Sequence, residues 1–240
     1  ASDPEGGHQI TDIRPIAGLS HLKDLDLSHN RIKNVKALHS LTNLRTLSLR
    51  SNAYPIDLGY LSSLTRLHIL DIAWAGYVGI ETLITLKNLR HLRINSSKQL
   101  NLISRMTLLT LEISNGQLNH SFLNGINRIT SLKHLKIWVG RSRSQAAEVG
   151  ALSSLRHLEV LEFRDAWKLR DIRVLAHMKQ LKHFSAPFSS ISDLTPLADL
   201  SHLQTLNLRV NKIPKNRAYC PVDRGADVLR RYCKRILHLR

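Results

Sequence analysis

No apolar run in this sequence approaches the roughly 18 residues that a membrane-crossing helix requires, so no transmembrane helix is expected. Gly-x-Gly-x-x-Gly, Walker, His-Glu-x-x-His and Gly-x-Ser-x-Gly motifs are all missing, which removes the common signatures of nucleotide, zinc-protease and serine-hydrolase chemistry. Cysteine occurs only twice in 240 residues, and two thiols alone make a poor structural zinc site, which wants four ligands. Acidic residues are also short: 18 Asp and Glu stand against 35 Lys and Arg, a formal charge of +17 with 13 histidines besides. The chain starts Ala1-Ser2-Asp3-Pro4-Glu5, with neither Met nor a charged-then-apolar leader, and reads as a mature or trimmed end that an earlier signal peptide would fit.

What the sequence has in abundance is leucine at fixed intervals. Leu22-x-x-Leu25-x-Leu27-x-x-Asn30-x-Ile32 returns as Leu44-x-x-Leu47-x-Leu49-x-x-Asn52 and as Leu203-x-x-Leu206-x-Leu208-x-x-Asn211-x-Ile213. Six weaker copies lie between, beginning at Leu67, Leu89, Leu108, Leu132, Leu158 and Leu181, and the steps along all nine run 22, 23, 22, 19, 24, 26, 23 and 22. Leu-x-Leu has the period of a strand, so Leu25 and Leu27 face one side while Asp24, Asp26 and Ser28 face the other. One such strand cannot bury its leucines alone; stacking the copies in parallel closes a continuous core. The ninth-position Asn ends each strand, and its side chain can bond backbone groups that the turn orphans. Ala75, Ser97, Gly116, Gly140, Ala166 and Ser189 replace it in the central copies, which keeps the turn narrow and interrupts the side-chain ladder.

The segments Ile191-Ser-Asp-Leu194-Thr-Pro196-Leu197-Ala-Asp-Leu200-Ser-His-Leu203 and Ile10-Thr-Asp-Ile13-Arg-Pro15-Ile16-Ala-Gly-Leu19-Ser-His-Leu22 resemble the 22-residue repeat of bacterial internalin-type leucine-rich-repeat proteins. The resemblance is strong over 10–52 and 181–213 and loose over 53–180. It implies an α/β repeat solenoid, a leucine-rich-repeat horseshoe with a parallel sheet on the concave side and short 3₁₀, helical or irregular segments on the convex side. It specifies an architecture and almost nothing about a ligand. It also makes the two Asn-x-Ser sequons, at Asn95 and Asn119, accidental rather than glycosylated.

Nine repeats occupy 22–213, with a partial repeat over 1–21 as an N-terminal cap and a basic cap over 214–240. The last segment holds Cys220 and Cys233, and Val228, Leu229, Tyr232 and Ile236 fall near one face at helical spacing. A disulfide pinning this helix to the preceding loop, in an oxidising compartment, stands beside the alternative of two reduced buried thiols. From Arg209 to Arg240 there are ten basic residues and two acidic, a net +8. That charge fits either a patch for an anionic partner or a generally basic surface.

The outward strand positions supply the candidate partner-binding face: Asp71, His91, Arg93, Glu112, His134, Lys136, Trp138, Glu162 and Arg164, with Trp74 at the adjoining eighth position. Charges of both signs alternate here, as suits a protein surface or neighbouring strands pairing opposite charges, whereas a nucleic-acid groove should be uniformly basic. Trp138 is a residue type favoured as an interface anchor, or else lies across a neighbouring strand. His91, His134 and His183 share the third position in alternate copies, about 10 Å apart at strand spacing, too far to share one metal. Candidate polyanion contacts follow the second position, Lys23, Arg45, Arg90, Lys133 and Lys182, joined by Arg141 and Arg143 and by the tail's Arg230, Arg231, Lys234 and Arg235. The expectation is a monomeric, non-catalytic module without cofactor or small-molecule substrate, secreted or in the cell envelope, which recognises a protein through its concave face. The competing expectations are a binder of an anionic glycan, lipid or nucleic acid through rim and tail, and a cytoplasmic location.

Overall fold

A computed structural model describes residues 9–95, 100–116, 118–139 and 149–238. The chain divides into two compact units, 1–95 and 96–240, each a stretch of leucine-rich-repeat solenoid. In the first, β1 (Asp24–Asp26), β2 (Thr46–Ser48), β4 (Ile69–Asp71) and β6 (His91–Asn95) pair in parallel with Leu25, Leu47, Leu70 and Leu92 in register. A second, two-stranded pairing joins β3 (Ile56–Asp57) to β5 (Tyr77–Val78). In the second unit, β7 (Thr110–Gly116), β8 (His134–Val139), β9 (Val160–Arg164), β10 (His183–Ser185) and β11 (Thr205–Asn207) pair in parallel. All nine Leu-x-Leu copies are therefore strands, and Leu47, Leu70, Leu92, Leu111, Leu135 and Leu161 are fully buried.

The other side of each repeat is built from short 3₁₀ turns, including Lys36–Ser40, Ile80–Thr85 and Arg173–His177. Their cause is an apolar residue at every third position. Val35, Leu38, Leu41 and Leu44 are all buried, and the amides of Leu38, Leu41 and Leu44 each donate to the carbonyl three residues earlier at 2.9–3.0 Å. Side chains three apart eclipse in this geometry, so one edge of the turn faces the core continuously. Pro15 and Pro196 sit in the first and last such turns, Arg14–Gly18 and Thr195–Leu197, but the turns between form without proline. The 24-residue step accommodates a true helix instead, α1 (His120–Asn127), capped by the Asn119 side chain accepting from Phe122 N–H at 2.9 Å.

Ninth-position asparagines do the bonding expected of them. Asn52, buried, donates from Nδ2 to the carbonyls of Leu27 and Leu49 and accepts at Oδ1 from Ile32 N–H. Asn30 and Asn211 repeat the arrangement. Where Ala75 replaces Asn, Asn95 reaches across from β6, donating to Ala75 C=O at 2.7 Å and accepting from Trp74 N–H at 2.8 Å. The ladder is thus interrupted in sequence more than in space. At Gly116 a Cβ would lie 2.5 Å from the Ile137 side chain, so no larger residue fits while β7 and β8 stay this close.

One backbone feature has no counterpart in the sequence expectations. The eighth position of seven repeats, His29, Ser51, Trp74, Asn115, Asp165, Phe188 and Val210, adopts φ of 54–59°. Left-handed backbone here turns the chain out of the strand and throws the side chain to the solvent: Trp74 is 46% exposed, Phe188 47% and Val210 65%.

The last described element is α2 (Asp227–Ile236). Leu229 and Cys233 are buried, Tyr232 OH donates to Leu208 C=O at 3.2 Å, and Cys220 and Cys233 form a disulfide with Cα atoms 5.4 Å apart. That bond joins the helix to the loop preceding it.

Candidate functional site

In the first unit, the register Ser48–Asp71–Arg93 sets charges side by side across strands. Asp71 is 6% exposed; its carboxylate lies 3.8 Å from Arg50 Nη1 and 3.4 Å from Arg93 Nη1 and accepts from Ala73 N–H at 3.0 Å. A buried carboxylate needs such partners, because desolvation alone would expel it from the interior. Asp71 is therefore an anchor beneath two guanidinium groups, and the surface a partner would meet is theirs. Trp74 lies outside the strand, held in its left-handed conformation by Asn95. The side chain of His91 stands at the start of β6 and is half-buried.

The second unit gathers the larger group. Lys136 Nζ sits 3.1 Å from Glu162 Oε1, and His183 Nε2 approaches the same oxygen at 3.4 Å from the far side. Glu112 is in register with Lys136, one strand earlier. His134 Nδ1 lies 3.4 Å from Thr110 Oγ1, and His183 Nδ1 contacts Thr205 Oγ1. At the strand ends the Arg164 guanidinium covers the Trp138 ring, 4.8 Å from its centroid, a cation–π stack that fixes two long side chains in one place. Trp138 thereby lies half-buried against the next strand, and its exposed edge is framed by Arg164. The alternating signs of the middle column are thus spent on cross-strand pairing.

The candidate polyanion residues differ in the partners they already have. Lys133 and Lys182 both close on Glu159, at 3.2 and 2.7 Å. These hydrogen bonds, Lys182's first and Lys133's second, hold the Glu159 carboxyl below its ordinary value of 4.5. Arg90 Nη1 donates to the carbonyls of Lys87 and Leu89, while Lys23 and Arg45 are exposed on the first unit. Arg141 and Arg143 lie outside the described residues. On α2, Arg230 is paired with Asp227 and Arg235 stacks on Tyr232 at 5.2 Å, while Arg231 and Lys234 are exposed.

Sequence reasoning did not single out Arg50, Glu159 or His183 as ion partners, although the strand register makes them neighbours of Asp71, Lys133 and Glu162. Nor did it find the eighth-position rim, because Trp, Phe and Val give no sign of left-handed backbone. Both sequon asparagines are engaged in the fold, Asn95 with the Trp74 turn and Asn119 as a helix cap. A groove of about 950 Å³ on the turn side of the first unit, lined by Lys33, Lys36, His39 and Tyr60 among others, takes in none of these site residues.

The model of the leucine-rich repeat region matches residues 7–217. Internalin I of Listeria monocytogenes serotype 4b is 36% identical over 69 residues, which are 26% of this chain and 4% of that protein. The crystal structure of the internalin InlF from Listeria monocytogenes superposes with a TM-score of 0.67 at 25% identity, covering 88% of this chain and 61% of the other. The Arabidopsis receptor kinase HAESA, solved with the peptide hormone IDA and the co-receptor SERK1, superposes with a TM-score of 0.58 at 19% identity, over 85% and 38% of the two chains. This chain therefore spans less than two thirds of each of these relatives. Strand register, 3₁₀ turns, asparagine ladder and family match agree: the chain belongs to the leucine-rich-repeat family and is of the bacterial internalin-like type.

Proposed function

We propose that the chain is a non-catalytic binding module that takes a protein partner on the strand face of its second unit and on the rim beside it. The observation that carries this reading is the cancellation of charge on that face. Lys136, Glu162 and His183 satisfy one another while Trp138 is stacked under Arg164, and Phe188 and Val210 stand exposed at the adjoining turns. A polyanion needs a row of uncompensated cations. A protein interface is anchored by aromatic and Arg side chains among polar groups that are already satisfied. The module is read as monomeric and without a cofactor. Its disulfide and its likeness to internalins favour a secreted or envelope location over the cytoplasm.

The test is chemical cross-linking of candidate partners to the wild type, to Trp138→Ala/Arg164→Ala, and to a variant with its α2 cations neutralised. Partners lost from the ring variant and kept by the cap variant support the reading. The opposite pattern, capture that survives loss of the rings and disappears with the cap charge, overturns it.

A further inference from the structure

Most cationic residues of the C-terminal cap differ from those of the strand face in having no carboxylate partner among the described residues. In α2, Leu229 and Cys233 are buried and Tyr232 is tied to Leu208. At about 3.6 residues per turn, the side opposite carries Arg231 and Lys234 three apart with Arg235 beside them, and His238 follows just past the end of the helix. All four are exposed. Lys215, from the loop before the disulfide, reaches this side: its Nζ lies 2.9 Å from His238 Nε2. The helix's own carboxylate, Asp227, is taken by Arg230. Among the described residues, no carboxylate lies within ion-pair distance of Lys215, Arg231, Lys234 or Arg235.

We propose that this surface is a separate binding site for a linear polyanionic polysaccharide, one bearing sulfate or carboxylate groups along its length. Three features decide the ligand class. The cations of α2, Arg231, Lys234 and Arg235, run about 6 Å along the helix and Lys215 adds a fourth from the loop, a row that suits a chain of charges better than a single anion. The apolar side of the helix faces inward against Leu208 and the disulfide, so it has no apolar face to insert into a bilayer. The ring on this helix, Tyr232, is half-buried with Arg235 over it, so the helix offers no open platform on which a nucleic-acid base would stack. The disulfide closes the loop that carries Lys215 onto the helix, so the cations are arranged before any ligand arrives.

Heparin is the probe. Elution salt and the salt dependence of binding are measured for the wild type, for Lys215→Ala/Arg231→Ala/Lys234→Ala/Arg235→Ala, and for a charge-matched control, Lys23→Ala/Arg45→Ala/Lys87→Ala/Arg90→Ala. Circular dichroism verifies that each variant is folded. The cap variant is expected to elute at clearly lower salt, and its log–log salt slope to fall by about 3–4, near one per cation removed by analogy with DNA. The control should elute close to the wild type. Equal losses in the two variants would mean that net charge alone is read, and would overturn the site. Tighter binding of duplex DNA or phosphatidylserine vesicles than of heparin, at matched anionic charge, would overturn the polysaccharide assignment. Lys215→Arg/Lys234→Arg should bind as the wild type does.

Discussion

Replacing Asn52 by Ala isolates the energetic role of the ladder that joins successive repeats. The side chain is 4% exposed and makes three hydrogen bonds: Nδ2 to Leu27 C=O at 3.0 Å and to Leu49 C=O at 2.9 Å, and Oδ1 from Ile32 N–H at 3.2 Å. Leu27 C=O also accepts from Asn30 at 3.1 Å, so it keeps a partner after the substitution. Leu49 C=O and Ile32 N–H have no other partner among the described residues and would be orphaned. At about 1–3 kcal/mol for each buried unsatisfied group, Asn52→Ala should cost about 3 kcal/mol, read as a lower midpoint in urea at unchanged m-value by far-UV circular dichroism. Asn30 is half-buried and its turn lies at the start of the array, so Asn30→Ala should cost about 1 kcal/mol. Asn52→Asp keeps an acceptor for Ile32 but turns an anionic oxygen towards two carbonyls, and should cost at least as much as Ala. A loss under about 1 kcal/mol for Asn52→Ala, or a milder effect of Asp than of Ala, would refute the account of the ladder as buried-group satisfaction.

Val210 is β-branched at φ 56° and 65% exposed, a combination in which backbone strain exceeds any packing. Val210→Asn should therefore stabilise by about 1 kcal/mol, seen as a higher thermal midpoint; a lower one would show that the side chain packs. Removing the disulfide by Cys220→Ser/Cys233→Ser should cost about 3 kcal/mol, and the unreduced wild type should show no thiol reactive to Ellman's reagent after denaturation. The Glu159 carboxyl, held below 4.5 by Lys182 and then Lys133, contributes stability that is complete above the unfolded value and is lost as pH falls through the lower folded value. Its NMR titration midpoint should lie below 4.5 and rise more in Lys182→Met than in Lys133→Met.

Much of the fold is legible because each repeat states its demands locally. Leu25 and Leu27 alternate and must be strand; Asn52 follows at the turn and must bond backbone. The three-residue spacing of Val35, Leu38, Leu41 and Leu44 is also written in the sequence, and it accounts for the 3₁₀ turns that the proline-bearing copies alone suggested. Other features have no local signature. The left-handed turn at Trp74 and Phe188 is held by the neighbouring repeats, where the Asn95 side chain and the Arg209 carbonyl accept from their amides. Nothing in those residues announces it, since Gly or Asn would suit the backbone better. The partners of Asp71 and Glu162 depend on register between strands more than 20 residues apart. The sequence supplies the alternating signs, and only the pairing of strands shows that they cancel.

That cancellation separates two kinds of recognition which net charge alone would merge. On the strand face Glu162 meets Lys136 and His183, and at the rim Glu159 meets Lys133 and Lys182, so a ligand that bound there by charge would have to displace contacts already made. What the face offers without such displacement is the edge of the Trp138–Arg164 stack and the exposed Phe188 and Val210 of its rim. Contacts of that kind depend on buried area and are little affected by salt. The cap presents Arg231 and Lys234 without carboxylate partners, and attraction between exposed charges falls away as ionic strength shortens the screening length. Raising salt should therefore strip a polyanion from the cap while leaving a protein on the strand face, even though both ligands meet the same strongly basic chain.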